Sequence, residues 1–420
     1  MEDRPDDFSD RDLLTALEAW GLGPVTLDYA PVGFGDYHWI ATGTAGRWFV
    51  TAVDLAAKPP TGLTDLRRAM DTAAALHATL RPSAAVVAPL PSRDGSTTVR
   101  TGPRHAVTVF PYVDGVAGRF GERLPQVRRD ALIDLLATLH RAPAPASTPT
   151  APLTLPRRDR LEAALTEALA NAGAGQEPTP QTRATAPETA RTTGSTDEGA
   201  NAGTDRSAGT DRSAGPDRSA GTGADAETGT RGATGTGSAA GSGVRSGGGP
   251  QDVAGARAGA DGVVGGVAGA GGGWRGGPYS EPARELVAAR ADGLRRALER
   301  FDRLAREVRG PFVVTHGEPH PGNLLWRDGR PALVDWDTVG LAPPERDLWL
   351  AAPEERDLAR YEAATGRRPD PSALALYRLR WDLDDVCDFL DWFRAPHGRT
   401  PDTEVAWRGL EDALERFSRL

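Results

Sequence analysis

Lysine is nearly missing from this chain: of 49 basic residues only one, Lys58, is a lysine. Its replacement by arginine, with abundant Ala, Gly and Pro, reflects genome composition and not function, yet it leaves one candidate wherever an ammonium is needed. Cysteine is as scarce. Cys387 alone excludes an internal disulfide or a cysteine metal cage and suits a reducing compartment. A basic excess is lacking too. The net charge is −9 and the pI about 5.4, whereas phosphate backbones are held by positive patches, so no nucleic-acid partner is expected. No run of about 18 apolar residues occurs. The nearest, 253–273, is mostly Gly and Ala and is broken by Arg257 and Asp261, so no membrane partner is expected. The acidic stretch Met1 to Asp7 lacks the apolar core of a secretory leader. The expected location is the cytoplasm, and the oligomeric state is not legible.

What is present falls into two populations. From about Ala174 to Gly273 the chain is Ala, Gly, Thr, Ser, Asp and Arg with almost no large apolar side chain. A six-residue repeat, Gly203-Thr204-Asp205-Arg206-Ser207-Ala208, recurs at Gly209 and, with Pro216 for Thr, at Gly215. That period is far below the 20–50 residues of a solenoid. A segment with nothing to bury cannot offset its ordering entropy, so 174–273 is expected to be a disordered insertion.

The remainder has ordinary elements. Val25 to Tyr29, Trp39 to Thr42, Arg47 to Val53 and His105 to Phe110 are short β-branched or aromatic runs between Gly and Pro. An Ala- and Leu-rich helix, about Leu63 to Leu80, stops before Pro82. Helical spacing returns at Val127–His140, Arg158–Ala172 and Pro282–Val308. Two short strands follow, near Phe312–Thr315 and Ala332–Val334, and then helices to Leu420. Strands first and helices after predict a small β lobe joined to a larger α lobe.

Chemistry concentrates between Val313 and Trp349. His316-Gly317-Glu318-Pro319-His320-Pro321-Gly322-Asn323 is followed by Leu333-Val334-Asp335-Trp336-Asp337 and by Pro344-Glu345-Arg346-Asp347. A strand delivers the Glu318 carboxylate into a loop that Pro and Gly keep from becoming a helix, with an amide oxygen, Asn323, five residues on. A second strand is read as ending in Asp335, with Asp337 on the same side two positions along. Hard oxygen ligands suit Mg²⁺, and a further carboxylate can position or deprotonate a hydroxyl. Metal clamps and a held acceptor are what phosphoryl transfer needs. The alternative grouping of His316 and His320 with Asp335 and Asp337, as in a metal-dependent hydrolase, requires histidines on one helix face, which Pro319 and Pro321 oppose. His38, His77, His105, His140 and His397 form no cluster and are read as ordinary residues.

This stretch resembles the catalytic core of the aminoglycoside phosphotransferase and choline kinase-like family, whose pattern is His-Gly-Asp, four residues, Asn, then Ile/Val-Asp-Trp/Phe-Asp/Glu. Asp335-Trp336-Asp337 with the following Leu341-Ala-Pro-Pro-Glu-Arg-Asp-Leu348 is most similar to its spectinomycin-phosphotransferase branch. The resemblance implies an α+β, protein-kinase-like two-lobed fold. Its N-lobe would span 1–110, its C-lobe 111–173 and 274–420, with the insertion at 174–273. It implies ATP and Mg²⁺ as cofactors and a small-molecule hydroxyl acceptor, such as an aminoglycoside-like or aminocyclitol antibiotic. By carry-over Glu318 holds the catalytic position, and Asn323 and Asp335, helped by Asp337, hold the metal. His316 and Asp347 support the loop. Gly33 and Gly35 belong to a phosphate loop, and the backbone near Phe110 and Tyr112 meets adenine.

The sequence departs from the family in three places. Glu318 stands where Asp is usual, Thr51 occupies the place of the third-strand lysine, and the helix 63–80 has no Glu to pair with such a lysine. Lys58, seven residues beyond Thr51, is the one lysine that could supply an ammonium to the phosphates, and it reads equally well as a solvated loop lysine before Pro59-Pro60. These changes leave open a nucleotide-binding protein with little or no transferase activity. On a helix, Asp384, Asp388 and Asp391, flanked by Trp381 and Trp392, fall opposite the stripe Leu379, Leu383, Val386, Leu390 and Phe393. A solvent-facing acidic and aromatic surface of that kind suits a cationic ring, which makes it the expected acceptor site.

Overall fold

Ser9 begins the first helix with a capping box: its hydroxyl accepts from the Asp12 amide, and the Asp12 carboxylate accepts from the Ser9 amide at 2.9 Å. The helix α1 (Asp10–Leu17) follows, missed above although Ser-x-x-Asp before an apolar run is its sequence mark. The computed structural model describes residues 3–33, 36–56, 58, 61–80, 85–174 and 273–420, and these belong to one compact unit. The interior of the expected insertion and Gly35 lie outside the described residues.

Five antiparallel strands form the first sheet, β1 (Val25–Tyr29), β2 (Tyr37–Gly43), β3 (Gly46–Asp54), β4 (Thr98–Thr101) and β5 (His105–Pro111), in the order β1-β2-β3-β5-β4. Alternation along the strands decides what each face meets. Tyr37, Trp39, Ala41, Val50, Ala52, Val107 and Val109 pack with Leu13, Ala16 and Leu17 of α1. Val53 and Phe110 turn the other way, toward Leu66, Met70 and Ala73 of α2 (Gly62–Thr79). The inner face is thus left partly for a cavity.

Helices dominate the rest: α3 (Gln126–Arg141), α4 (Arg158–Ala174), α5 (Ser280–Ala289), α6 (Ala291–Glu307), α7 (Glu345–Ala351), α8 (Glu355–Thr365), α9 (Pro371–Arg394) and α10 (Pro401–Ser418). The expected single helix Pro282–Val308 is two, parted at Arg290. A core of Leu294, Phe301, Leu383, Phe389, Phe393, Leu410 and Phe417 joins α6, α9 and α10. Among the described residues no helix is long and apolar enough to cross a membrane.

Between sheet and helices lie three short pairings. β6 (Val116–Ala117) joins β8 (Leu324–Arg327), which joins β9 (Arg330–Leu333), while β7 (Val313–Thr315) pairs with β10 (Gly340–Ala342). Asp328 at φ 50° and Gly329 at φ 74° give the β8–β9 turn two consecutive left-handed residues, the arrangement that matches strand twist in tight hairpins. Asp-Gly at its centre makes that geometry accessible. Leu324 pairs with Leu333, and the Val334 amide donates to the Asn323 carbonyl at 3.1 Å. The hairpin therefore returns the chain to where it left.

Candidate active site

The loop after β7 is fixed from behind by one carboxylate. Asp347, fully buried at the start of α7, accepts the His316 amide at 2.9 Å and the Gly317 amide at 2.7 Å. His140 Nε2, on α3, lies 3.0 Å from the same carboxylate, and His140 Nδ1 is 2.9 Å from the Tyr361 hydroxyl. Burial by itself pushes the Asp347 carboxyl up, but the His140 hydrogen bond and the facing charges, Arg346 among them, hold it below its ordinary value. Arg346 ties the loop further, donating to Thr315 Oγ1 and the Thr338 carbonyl. Gly317 sits at φ 102°, and a Cβ there would meet the Arg346 guanidinium at 2.5 Å, so this position needs glycine.

His316 is completely buried, with Nε2 against the Val334 carbonyl and Nδ1 accepting the Glu318 amide. Its ring packs edge-on to Trp336, and burial pushes it down to about 4. Both nitrogens are thus engaged by the backbone, which removes His316 from the ligand set of the hydrolase alternative. Among the described residues no group of three His, Cys, Asp or Glu side chains stands in metal-holding geometry.

Asn323 ends a 3₁₀ turn, Pro321–Asn323. Its amide nitrogen donates to the Glu318 carbonyl at 3.1 Å, which ties the side chain to the loop, and the residue lines the cavity. The hairpin brings Asp335 to the same place. The expectation of a strand ending in Asp335 needs correcting: β9 stops at Leu333, and Asp335 is left-handed at φ 64°. Its nearness to Asp337 comes from that turn, not from strand alternation. Enclosure in the cleft, then the carboxylates of Asp337, Glu318 and Asp36, push the Asp335 carboxyl well up. The floor of the cleft thus carries more negative charge than it can comfortably hold.

A cavity of about 340 Å³ lies between this floor and the inner face of the five-stranded sheet. Its roof comes in rows: Ile40, Phe49 and Phe110, then His38, Thr51 and Thr108. Gly33, at φ 70°, and Asp36 border it, and Asn323, Asp335 and Asp337 close it below. Thr51 is on the roof where the family lysine was expected. Lys58 reaches the cleft from the loop after β3, its side chain 6% exposed and its Nζ 4.0 Å from Asp337 Oδ2. Phe110 and Tyr112 both line the cavity, and some of the backbone groups there are already engaged. The Tyr112 amide donates to the Arg47 carbonyl at 3.2 Å, Pro111 has no N–H, and Phe110 sits in the ladder opposite Phe49. Val113, next along, also lines the cavity.

The acidic face of α9 is not the open surface expected. Trp381, Asp384, Asp388 and Trp392 are all buried, because α4 covers that side. Arg157 pairs with Asp388, and Arg160 lies 2.9 Å from Asp391. Arg380 reaches Asp384 at 3.2 Å, and Trp392 belongs to the helical core. Asp388 and Asp391 tie α9 to the start of α4, while Asp384 pairs within α9 itself. Asp388→Asn is accordingly expected to cost about 2 kcal/mol of stability, read by denaturant unfolding, and to leave ligand affinities unchanged. Trp381 differs: it stacks on Phe120 at 5.7 Å and leans on Trp349, while Phe120 meets His320 edge-on. Among the four it is the one linked through Phe120 to His320 in the loop after β7.

His140, read above as ordinary, supports the whole loop through Asp347. Its sequence signal was slight, a histidine in the last turn of an amphipathic helix, since its partner lies 207 residues away.

Residues 264–393 match the family described as the phosphotransferase enzyme family, APH. Protein StrN of Streptomyces griseus is 32% identical over 140 residues, 32% of this chain and 41% of that protein. The chain thus spans less than half the length of that relative. Among solved structures, spectinomycin phosphotransferase APH(9)-Ia in complex with ADP and spectinomycin gives a TM-score of 0.54 at 10% identity, covering 99% of this chain and 100% of that one. The microcompartment-associated aminopropanol kinase gives 0.51 at 14% identity, with 98% of each chain covered. At such identities the likeness is one of fold: an antiparallel sheet lobe on a helical lobe, the kinase-like architecture expected from the sequence.

Proposed function

From a chain that carries a phosphotransferase-family domain, we propose an ATP- and Mg²⁺-dependent kinase acting on a hydroxyl of a small molecule, of the aminoglycoside-like or aminocyclitol class. The observation that carries this reading is the convergence of Asn323, Asp335 and Asp337 below the cavity, with Glu318 on the adjoining loop. The donor set fits a hard dication: three oxygen-bearing side chains, with Asp335 raised first by burial and then by the neighbouring carboxylates. When bound, the metal would neutralise phosphate charge that builds during transfer.

The chain's own residues divide the remaining work. The row Ile40, Phe49 and Phe110 supplies an apolar slot for a base, with the backbone at Val113 beyond it. Lys58, drawn to Asp337, brings a positive charge to the floor from a different root than a strand lysine. Glu318 is placed to receive the proton of the acceptor hydroxyl as the new O–P bond forms. Trp381, Phe120 and Trp349 give an aromatic wall beside His320, which an aminocyclitol ring could lie against. Spectinomycin and aminopropanol, the compounds named for the two structural neighbours, are amino alcohols, which supports that substrate class.

ADP release measured with ATP, Mg²⁺ and a panel of amino-alcohol and aminocyclitol acceptors tests the reading. One acceptor should raise release well above the rate with ATP alone, and removing Mg²⁺ with a chelator should return it to background. A panel that leaves the rate unchanged throughout removes the transferase assignment.

A further inference from the structure

We infer that His38 is a phosphate-binding residue that replaces the missing strand lysine with a hydrogen bond, held in place for that purpose by Thr51. This rests on the nucleotide reading of the cleft. The observations begin with register. His38 on β2 is the Cα partner of Thr51 on β3, which in turn faces Thr108 on β5. Both His38 and Thr51 point into the cavity. Their row lies two residues, about 7 Å, from the apolar row Ile40, Phe49 and Phe110. A nucleotide whose base occupies the apolar row therefore places its polar remainder beneath His38.

The ring is oriented rather than loose. His38 Nδ1 is 3.1 Å from Thr51 Oγ1, and the imidazole stacks on Phe49 with centroids 5.1 Å apart and planes at 27°. A Cβ on Gly33 would come within 3.3 Å of His38 Nε2, so that nitrogen lies against the glycine at the cavity border, away from Thr51. Enclosure pushes the imidazole down to about 3, so it is neutral and carries a single proton. The tautomer assigned is the one in which Nδ1 accepts the Thr51 hydroxyl, so that the ring proton resides on Nε2. The acidic floor of Asp335 and Asp337 favours a donor at that position over an acceptor.

The two departures on the roof thus belong together. A strand lysine would need a carboxylate on α2 turned to the cleft to hold it, and α2 has no Glu while its two aspartates, Asp65 and Asp71, are both exposed. A Thr51–His38 pair supplies an oriented N–H without a charge to be neutralised, while Lys58 supplies the charge from below. Thr51 acts through His38 and is a positioning residue. His38 is the group that would touch the nucleotide.

Calorimetric titration of ATP, ADP and adenosine, with Mg²⁺ present, into the full chain and its variants tests the assignment. His38→Phe keeps the stack on Phe49 and removes the donor. It should weaken ATP and ADP roughly tenfold to a hundredfold and leave adenosine within twofold. His38→Gln, which retains a donor, should recover most of the ATP affinity, and Thr51→Ser should bind as the parent does. If His38→Phe binds ATP as tightly as the parent, weakens adenosine equally, or is matched by His38→Gln in its defect, His38 is not the phosphate donor. A parent chain that binds none of the three ligands overturns the nucleotide reading itself, whatever the variants do.

Discussion

Glu318→Gln should bind ATP as the parent does and turn over 10² to 10⁴ times more slowly. Glutamine preserves the length and shape of the side chain, and the loop around it is held through backbone groups. The Glu318 amide donates to His316, and its carbonyl accepts from His320 and Asn323. What the variant loses is the anionic acceptor for the hydroxyl proton. The defect should therefore fall on kcat, with acceptor KM and nucleotide Kd nearly unchanged. Steady-state ADP release at saturating acceptor, paired with nucleotide titration, separates these quantities. Equal kcat in parent and variant would remove Glu318 from the reaction. Parent and variant equally inert across acceptors would favour the nucleotide-binding protein without transferase activity.

Asp347→Ala should be the most damaging single change to the fold. It strips two backbone amides and His140 of their shared acceptor in a site with no exposure. Breaking a buried charged network of this kind costs about 3–5 kcal/mol, which corresponds to a Tm lower by on the order of 10 °C. The pH dependence has a definite sign. Because the Asp347 carboxyl is held below its ordinary value in the folded chain, it is stabilising as the anion. That contribution is complete above about pH 4, the unfolded value, and is lost as pH falls through the lower folded value. Thermal melts at descending pH should show a parent-minus-variant difference that is flat near neutrality and shrinks in acid. A difference that grows in acid would contradict the assignment.

The sequence made most of the loop after β7 legible because its parts are close together in the chain. Glu318 and Asn323 share one turn, and Asp335 follows within a hairpin whose Asp328-Gly329 centre is itself a sequence signal. What it hid were relations set by distant packing. His140 acquires its role only when α3 meets α7, and the α9 carboxylates become structural only because α4 brings Arg157 and Arg160 across them. A helical wheel marks a polar face but says nothing of which neighbour will cover it. Which amides near Phe110 to Tyr112 are already used was hidden for a similar reason, since strand register with Arg47 decides it. The capping box at Ser9, by contrast, is local to four residues.

Arginine-for-lysine exchange has one more consequence once Lys58 is located. Amine-directed chemistry, whether acylation, carbamylation or glycation, finds no lysine side chain in this sequence except one that lies in the cleft with 6% of its surface accessible. The genome's codon preference has thereby confined the chain's side-chain amine reactivity to the place where the proposed nucleotide binds, so that damage of this type and occupancy of the cleft compete for the same space.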